Sequence, residues 1–365
     1  MKYLTLFIIC LGLISPHVFA KKVALLISGY GNETQGKISY DLEELAQTYL
    51  VLHNHNLELD IVTPKGGEVV VKTHKDNLAY IQKFKGLALH KLQNTHSAKQ
   101  ASGQSYDALF VVGGDGAMFD LPFDSATQTF INQFIEKQSP IAAVCHGPAA
   151  LVNLKGPDGR YFVAGKKVNS FTQIEEQAFN SELLDKFPFS LEEKLIERGA
   201  TFVKNTAMMP YISVDGTLIT AQNPMSVAKA AEALLLKLGI SPKQRTPFKD
   251  EATFELITQA KSNGAAVISI ELAKDKTRYD LNYLGLYAFY AYRLAQSKEQ
   301  KLQELTLKAE IAKIFKHPKL SQSLINAYLK QQLIEEAKQA YRVFQQDFPN
   351  DKSIASIENS PFCTK

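Results

Sequence analysis

Cysteine is scarce in this chain: three residues in 365, at positions 10, 145 and 363. Such a number cannot staple a chain of this size, so a disulfide framework is excluded. Beyond the first twenty residues no apolar run is long enough for a membrane-spanning helix. Charge of one sign is also lacking: 41 Lys and Arg face 37 Asp and Glu, a net of +4. No basic run is interleaved with aromatics, which argues against nucleic-acid binding. No dinucleotide fingerprint or phosphate-cradling loop is present, because Gly113-Gly114-Asp115-Gly116 lacks the helix context those motifs need. Nor is there a metal-ligand pattern. His53 and His55 would share a face only on a strand, yet they lie at a helix end or loop with no suitably arranged partners. They read as solvated histidines, and neither a metal nor an organic cofactor is expected.

The first twenty residues stand apart. Lys2 precedes an apolar stretch over 3–15, and Val18-Phe19-Ala20 offers small residues at the −3 and −1 positions of a cleavage site. A signal peptide over 1–20 is expected, giving an exported protein, periplasmic or secreted, whose mature chain begins near Lys21. A buried N-terminal strand is the plainer alternative. Cys10 is not preceded by the small residue of a lipoprotein signal. Removal of the signal leaves Cys145 and Cys363, which are either one bridge or two thiols.

Over 21–240 short apolar runs alternate with helical patterns, the signature of an open, mainly parallel α/β sheet. Residues 23–27, 57–62, 108–112 and 141–144 read as strands. Leu42, Leu45, Tyr49 and Leu52 follow helical spacing, and 226–238 reads as a closing helix. Residues 241–250, with Pro242 and Pro247, read as a linker. From 251 to 352 the patterns are helical throughout, and 323–351 resembles one tetratricopeptide-type helix pair. One such pair cannot bury its own core and should stack on neighbours. It is either a protein-contact surface or a structural appendage. Residues 353–365 read as a tail.

In open α/β sheets, sites form outside the carboxyl ends of strands. Gly113-Gly114 and Cys145 both occupy such ends. The run Val144-Cys145-His146-Gly147-Pro148-Ala149-Ala150 places the thiol where a strand turns into a helix expected to run through Leu154. Helix-mouth amides and dipole would favour the thiolate over the thiol, whose ordinary pKa is ~8.5. His146 follows on the turn as a candidate acid/base. Gly113 and Gly114 let a backbone N–H approach a substrate oxygen, and with the His146 amide they form a candidate oxyanion site.

These blocks resemble the ThiJ/PfpI superfamily, of the class I glutamine amidotransferase-like fold. The resemblance rests on 144–148 together with Val111-Val112-Gly113-Gly114-Asp115-Gly116-Ala117-Met118-Phe119-Asp120-Leu121-Pro122. Leu42-Glu43-Glu44-Leu45-Ala46, Val168-Asn169-Ser170-Phe171-Thr172 with Glu175-Glu176, and Thr220-Ala221-Gln222-Asn223-Pro224 support it. It covers about 21–239 and is nearest to the branch of heat-shock chaperones and glutathione-independent glyoxalases. The resemblance implies a flavodoxin-like three-layer sandwich with a mainly parallel sheet and a nucleophile elbow, to which an all-α C-terminal region is appended. It implies Cys145 as nucleophile and a glutamate beside the thiol, Glu44 by position, with Glu43 second. It also implies an acid that orients His146, Glu176 by position and Glu175 next. Relatives in the branch commonly carry histidine where Asp115 stands; a carboxylate on the pocket rim would repel anionic substrates and raise a nearby thiol. The activity implied is conversion of methylglyoxal to lactate through a Cys145 hemithioacetal. A holdase chaperone or binding module using the helical region, and an amidase or peptidase, are the alternatives. Candidate partners are a small carbonyl substrate, a protein client engaging 251–352, and a second copy of the chain.

Overall fold

The structure, a computed structural model, describes residues 20–32, 37–71 and 75–351. The signal-peptide reading, apart from Ala20, and the C-terminal tail fall outside the described residues, and with them Cys10 and Cys363. Nine strands are present among the described residues. Seven form one sheet in the order β3-β2-β1-β4-β5-β9-β8: β1 (Lys22–Leu26), β2 (Glu58–Thr63), β3 (His96–Ser97), β4 (Ala108–Val111), β5 (Ile141–Val144), β8 (Ile212–Asp215) and β9 (Leu218–Ala221). Only β8 runs antiparallel, joined to β9 through a turn at Gly216. A separate two-stranded pair joins β6 (Lys167–Val168) and β7 (Thr201–Phe202).

Alternation along the strands builds the three layers. Val23, Leu25 and Ile27 point into one core, whereas Ala24 and Leu26 point into the other, because side chains leave a strand on alternate faces. Being covered on both sides, β1 carries no polar residue after Lys22. On the first face lie α1 (Leu42–His53), α2 (Ala79–Gln93) and a closing helix, α7 (Val227–Lys237). On the second lie α3 (Ala98–Ala101), α4 (Ser125–Glu136) and α6 (Leu191–Glu197). The seven-residue α5 (Gln173–Phe179) sits at the strand ends, started by a Thr172–Glu175 capping box. This is the expected flavodoxin-like sandwich.

The stretch expected to be a linker is tied down. His55 accepts from the Lys243 amide at 2.8 Å and its Nδ1 faces the Val51 carbonyl, so it is buried rather than solvated; His53 is exposed. Arg245 grips Glu251 with two nitrogens at 2.7 Å and pairs with Glu232. Helix begins at Lys249, two residues before the expected boundary.

Six helices follow: α8 (Lys249–Asn263), α9 (Ala266–Asp275), α10 (Leu281–Leu294), α11 (Lys298–Ile314), α12 (Pro318–Lys330) and α13 (Ile334–Asp347). The last two pack as a pair around Ile325, Ala337 and Phe344, and Leu324 and Ala327 join them to Tyr292 and Leu305 of the preceding helices. The helical core also takes in Met208 and Met209 from the α/β part. The two parts therefore share one buried interior. No helix among the described residues is long and apolar enough to cross a membrane.

Candidate active site

Strands β4 and β5 are neighbours, so the turns that leave their carboxyl ends meet. Cys145 sits on the second turn with φ +57°, a left-handed conformation that a side-chain-bearing residue adopts only under constraint. The elbow does not open into the expected α-helix through Leu154. It leads into a five-residue 3-10 turn, Gly147–Leu151, with Pro148 in its first positions. The amide of Cys145 is held by the Ala221 carbonyl and its carbonyl by the Phe171 amide, so the strained residue is fixed from both sides.

Four side chains form a chain of contacts. His146 Nδ1 lies 3.3 Å from Cys145 Sγ, and Nε2 lies 2.6 Å from Glu176 Oε1. Glu44 lies on the other side of the thiol, its Oε2 accepting the Gly113 amide at 2.7 Å. All four are at least 96% buried, with exposures of 4% for Cys145, 2% for His146, 1% for Glu44 and 4% for Glu176. Rings of Phe171 and Phe187 pack on the imidazole at 5.1 and 5.9 Å.

The alternatives left open by the sequence separate cleanly in space. Glu43 points away from the thiol and accepts from Tyr80 at 2.6 Å while pairing with Lys75 at 2.8 Å. Glu175 is consumed by its capping box, the Met208 amide, Gln222 and Asn223. Thus Glu44 and Glu176, not their neighbours, reach the Cys–His pair. Asp115 is not merely on a rim: its Oδ1 lies 3.8 Å from His146 Nε2 and accepts from Asn180 at 3.0 Å. Asn180 also donates to Glu176 Oε2 at 2.9 Å, tying the two acids together. Sequence reasoning missed Asn180. Its one signal is the four-residue spacing from Glu176, which puts the two on one helical face.

The glycines divide their work. The Gly113 amide is occupied by Glu44, so it is not available to a substrate oxygen as expected. A Cβ on Gly113 would stand 2.8 Å from both Cys145 Cβ and Glu44 Oε2, which shows how closely the turn passes under the site. Gly114, at φ +96°, packs against the 39–41 backbone. The amides of Gly114 and His146 donate to no acceptor among the described residues.

Protonation follows from burial. Desolvation, with Asp41 nearby, pushes the Glu44 carboxyl well above the usual carboxylate range. Burial also raises the Cys145 thiol, and Glu44 and Asp41 add to it; the helix-mouth expectation of a lowered thiol fails because the turn is short and the surroundings are acidic. Burial alone would lower His146, but the Glu176 carboxylate, then Asp115 and Glu44, raise it to about 9. The arrangement is therefore an imidazolium held between a carboxylate and a thiol, with burial favouring the protonated form of both the thiol and Glu44.

A model of the DJ-1/PfpI family matches residues 38–237. The chain belongs to the DJ-1/PfpI family. Among curated family relatives it is 36% identical over 152 residues to a glutathione-independent glyoxalase of Schizosaccharomyces pombe, covering 40% of this chain and 62% of that one. It is 31% identical over 148 residues to glyoxalase 3 of Candida albicans, covering 40% and 63%. The chain thus spans a little under two thirds of the length of these relatives. Among solved structures, the 24 kDa rapid encystment protein of Francisella tularensis aligns at 31% identity and a TM-score of 0.54, over 60% of this chain and 99% of that one. Helices α8 to α13 lie beyond the family match.

Proposed function

We propose that this chain is a cysteine-dependent, glutathione-independent glyoxalase-type enzyme that converts methylglyoxal to lactate. The observation that carries the reading is His146 bridging Cys145 at 3.3 Å and Glu176 at 2.6 Å, with Glu44 beside the thiol. The relatives named as glyoxalases point the same way.

The chemistry starts from the minor ionised form of Glu44, whose carboxylate takes the thiol proton while the adjacent imidazolium stabilises the thiolate. Sulfur adds to the aldehyde carbon, and the Nδ1 proton of His146 goes to the nascent alkoxide, giving a hemithioacetal. The neutral imidazole then takes the proton from that carbon and delivers it to the neighbouring carbonyl carbon, with the oxygen protons redistributed, so ketone and hemithioacetal become hydroxyl and thioester. Water cleaves the thioester to lactate and restores the thiol. No electron acceptor enters, because one carbon is oxidised as its neighbour is reduced.

Lactate formation from methylglyoxal without glutathione tests the proposal; equal activity in wild type and Cys145→Ala would sink it. A second reading, a holdase, is favoured by one feature: a groove of about 320 Å³ lined by Ala309, Ala312, Leu324, Tyr328, Ala340 and Val343 on the helical region. It predicts suppression of client aggregation that survives Cys145→Ala. The N-terminal charge and apolar pattern support export, which cell fractionation with N-terminal sequencing of the mature chain would check.

A further inference from the structure

The family match ends at residue 237, yet the helices beyond it press on both helices that carry the site's acids. Helix α10 presents Tyr283 and Tyr290 seven residues apart, two turns along one face, or about 10 Å along the axis. The Tyr283 hydroxyl lies 3.3 and 3.2 Å from the two carboxyl oxygens of Glu43, the neighbour of Glu44 on α1. One turn further along α1, Gln47 donates to the buried Asp250 of α8 at 2.6 Å. At the other end, the Tyr290 ring lies 4.8 Å from that of Phe179, the last residue of α5, three positions after Glu176. Phe179 leads back through Phe171 to the His146 ring.

We propose that α10 is a positioning element of the Cys145 site: Tyr283 holds α1 through Glu43, Tyr290 holds α5 through Phe179, and together they fix Glu44 and Glu176 at the two ends of the thiol–imidazole pair. The proposal rests on the reading of those four side chains as one reactive array. A seven-residue helix has little stability of its own and depends on packing for its place. Beside it the seam holds a cavity of about 340 Å³ between Thr172 and Ile174 on one side and Ala291, Leu294 and Ala295 on the other. With Tyr290 truncated, α5 has room to relax into that space, and the 2.6 Å Glu176–His146 contact lengthens. The helical region is then part of the active-site machinery in this chain, acting through the acids rather than touching substrate.

The test uses the full chain and two readouts independent of dicarbonyl turnover. One is the NMR titration of the His146 imidazole, assigned by its loss in His146→Gln. The other is the pH midpoint of Cys145 alkylation by iodoacetamide, followed by peptide mass; a midpoint, unlike a rate, does not move with access alone. Tyr290→Ala should bring the His146 pKa down from about 9 by about one unit or more and raise the alkylation midpoint. Tyr290→Phe keeps the ring and should leave both in place. Tyr283→Phe removes the hydroxyl and should shift the alkylation midpoint without moving His146. Ile270→Ser, on an exposed face of α9, is the control. A folded Tyr290→Ala chain with wild-type titration and midpoint overturns the proposal. If that variant melts below the assay temperature, Tyr290→Leu, which keeps bulk without the ring plane, is judged by the same criterion. A protein inert towards methylglyoxal whose His146 still shifts in Tyr290→Ala would refute the glyoxalase reading and support the positioning role.

Discussion

His146 and Glu176 meet at 2.6 Å in a setting where neither can turn to water, and this contact fixes the charge state of the site. The carboxylate raises the imidazole to about 9, so the ring beside Cys145 is an acid at neutral pH. Glu176→Gln keeps the shape and the Asn180 contact but removes the charge. The His146 pKa should then fall towards its ordinary ~6.5, and turnover should drop by roughly 10²–10⁴-fold. The sign of the stability effect follows from linkage. A base whose folded pKa is raised contributes stability that is whole below its unfolded pKa and is lost as pH rises through the folded one. Denaturant unfolding should therefore show wild type ahead of Glu176→Gln near pH 6, with the gap closing as pH approaches 9. A gap that widens with pH would contradict this account.

Glu44 offers a cleaner separation of binding from proton transfer. Gln in its place still accepts the Gly113 amide, so the turn should hold. An amide cannot take the thiol proton, and burial then keeps Cys145 neutral. Glu44→Gln should retain the wild-type melting temperature while iodoacetamide alkylation at pH 7 slows by roughly tenfold or more. Unchanged alkylation would show that His146 alone controls the sulfur.

How much of this was legible in the sequence differs from element to element. The elbow was plain, because a buried strand followed by Cys145-His146-Gly147-Pro148 constrains its geometry locally. So was the closeness of Gly113 to Cys145, since strand ends in such sheets converge. The choice of Glu44 over Glu43 came from the family pattern alone; both occupy the first turn of α1, and only their surroundings tell them apart. The helix-mouth expectation for the thiol does not hold, whereas the expectation that acids raise it does. What decides the shift is burial beneath a loop, a short helix and rings from several segments, together with acids from two helices, and none of these is adjacent to Cys145 in sequence. The contacts of α10 were out of reach for the same reason: Tyr283 and Glu43 are separated by 240 residues. A helical pattern shows which face is apolar, not what it covers.

The seam itself carries a measurable cost. Asp250 is buried on α8, its Oδ2 bonded to Gln47 and its Oδ1 without a hydrogen-bond partner among the described residues. Burial, with Glu43 nearby, raises its carboxyl to about 6. A raised acid binds its proton more tightly when folded, so the chain loses stability as pH climbs from about 4 to about 6 and stays lower above that. Asn at this position retains an acceptor for Gln47 and carries no charge to desolvate. Asp250→Asn should match or exceed wild type by about 1–2 kcal/mol at pH 7.5 and lose that advantage at pH 4, as read by thermal melts across pH. A variant less stable at pH 7.5 than at pH 4, relative to wild type, would contradict the assignment.

Gly113 is the position where fold and chemistry are least separable. Its amide is spent on Glu44, and its Cα faces the thiol at a distance that admits no side chain. A methyl there would meet the Val144 carbonyl at 2.7 Å and both Cys145 Cβ and Glu44 Oε2 at 2.8 Å. Backbone oxygen cannot yield, Cys145 is already strained at φ +57°, and the displaced group is therefore the Glu44 carboxyl, the end of a flexible side chain. Gly113→Ala should cost about 1–3 kcal/mol in unfolding free energy and also slow Cys145 alkylation at neutral pH, because Glu44 leaves the sulfur. The two effects separate in the double variant with Glu44→Gln. Once the side chain at position 44 can no longer accept the thiol proton, the alanine should add its stability cost but no further loss of thiol reactivity. Additive losses in alkylation would mean that Gly113 acts on the sulfur by a route other than Glu44.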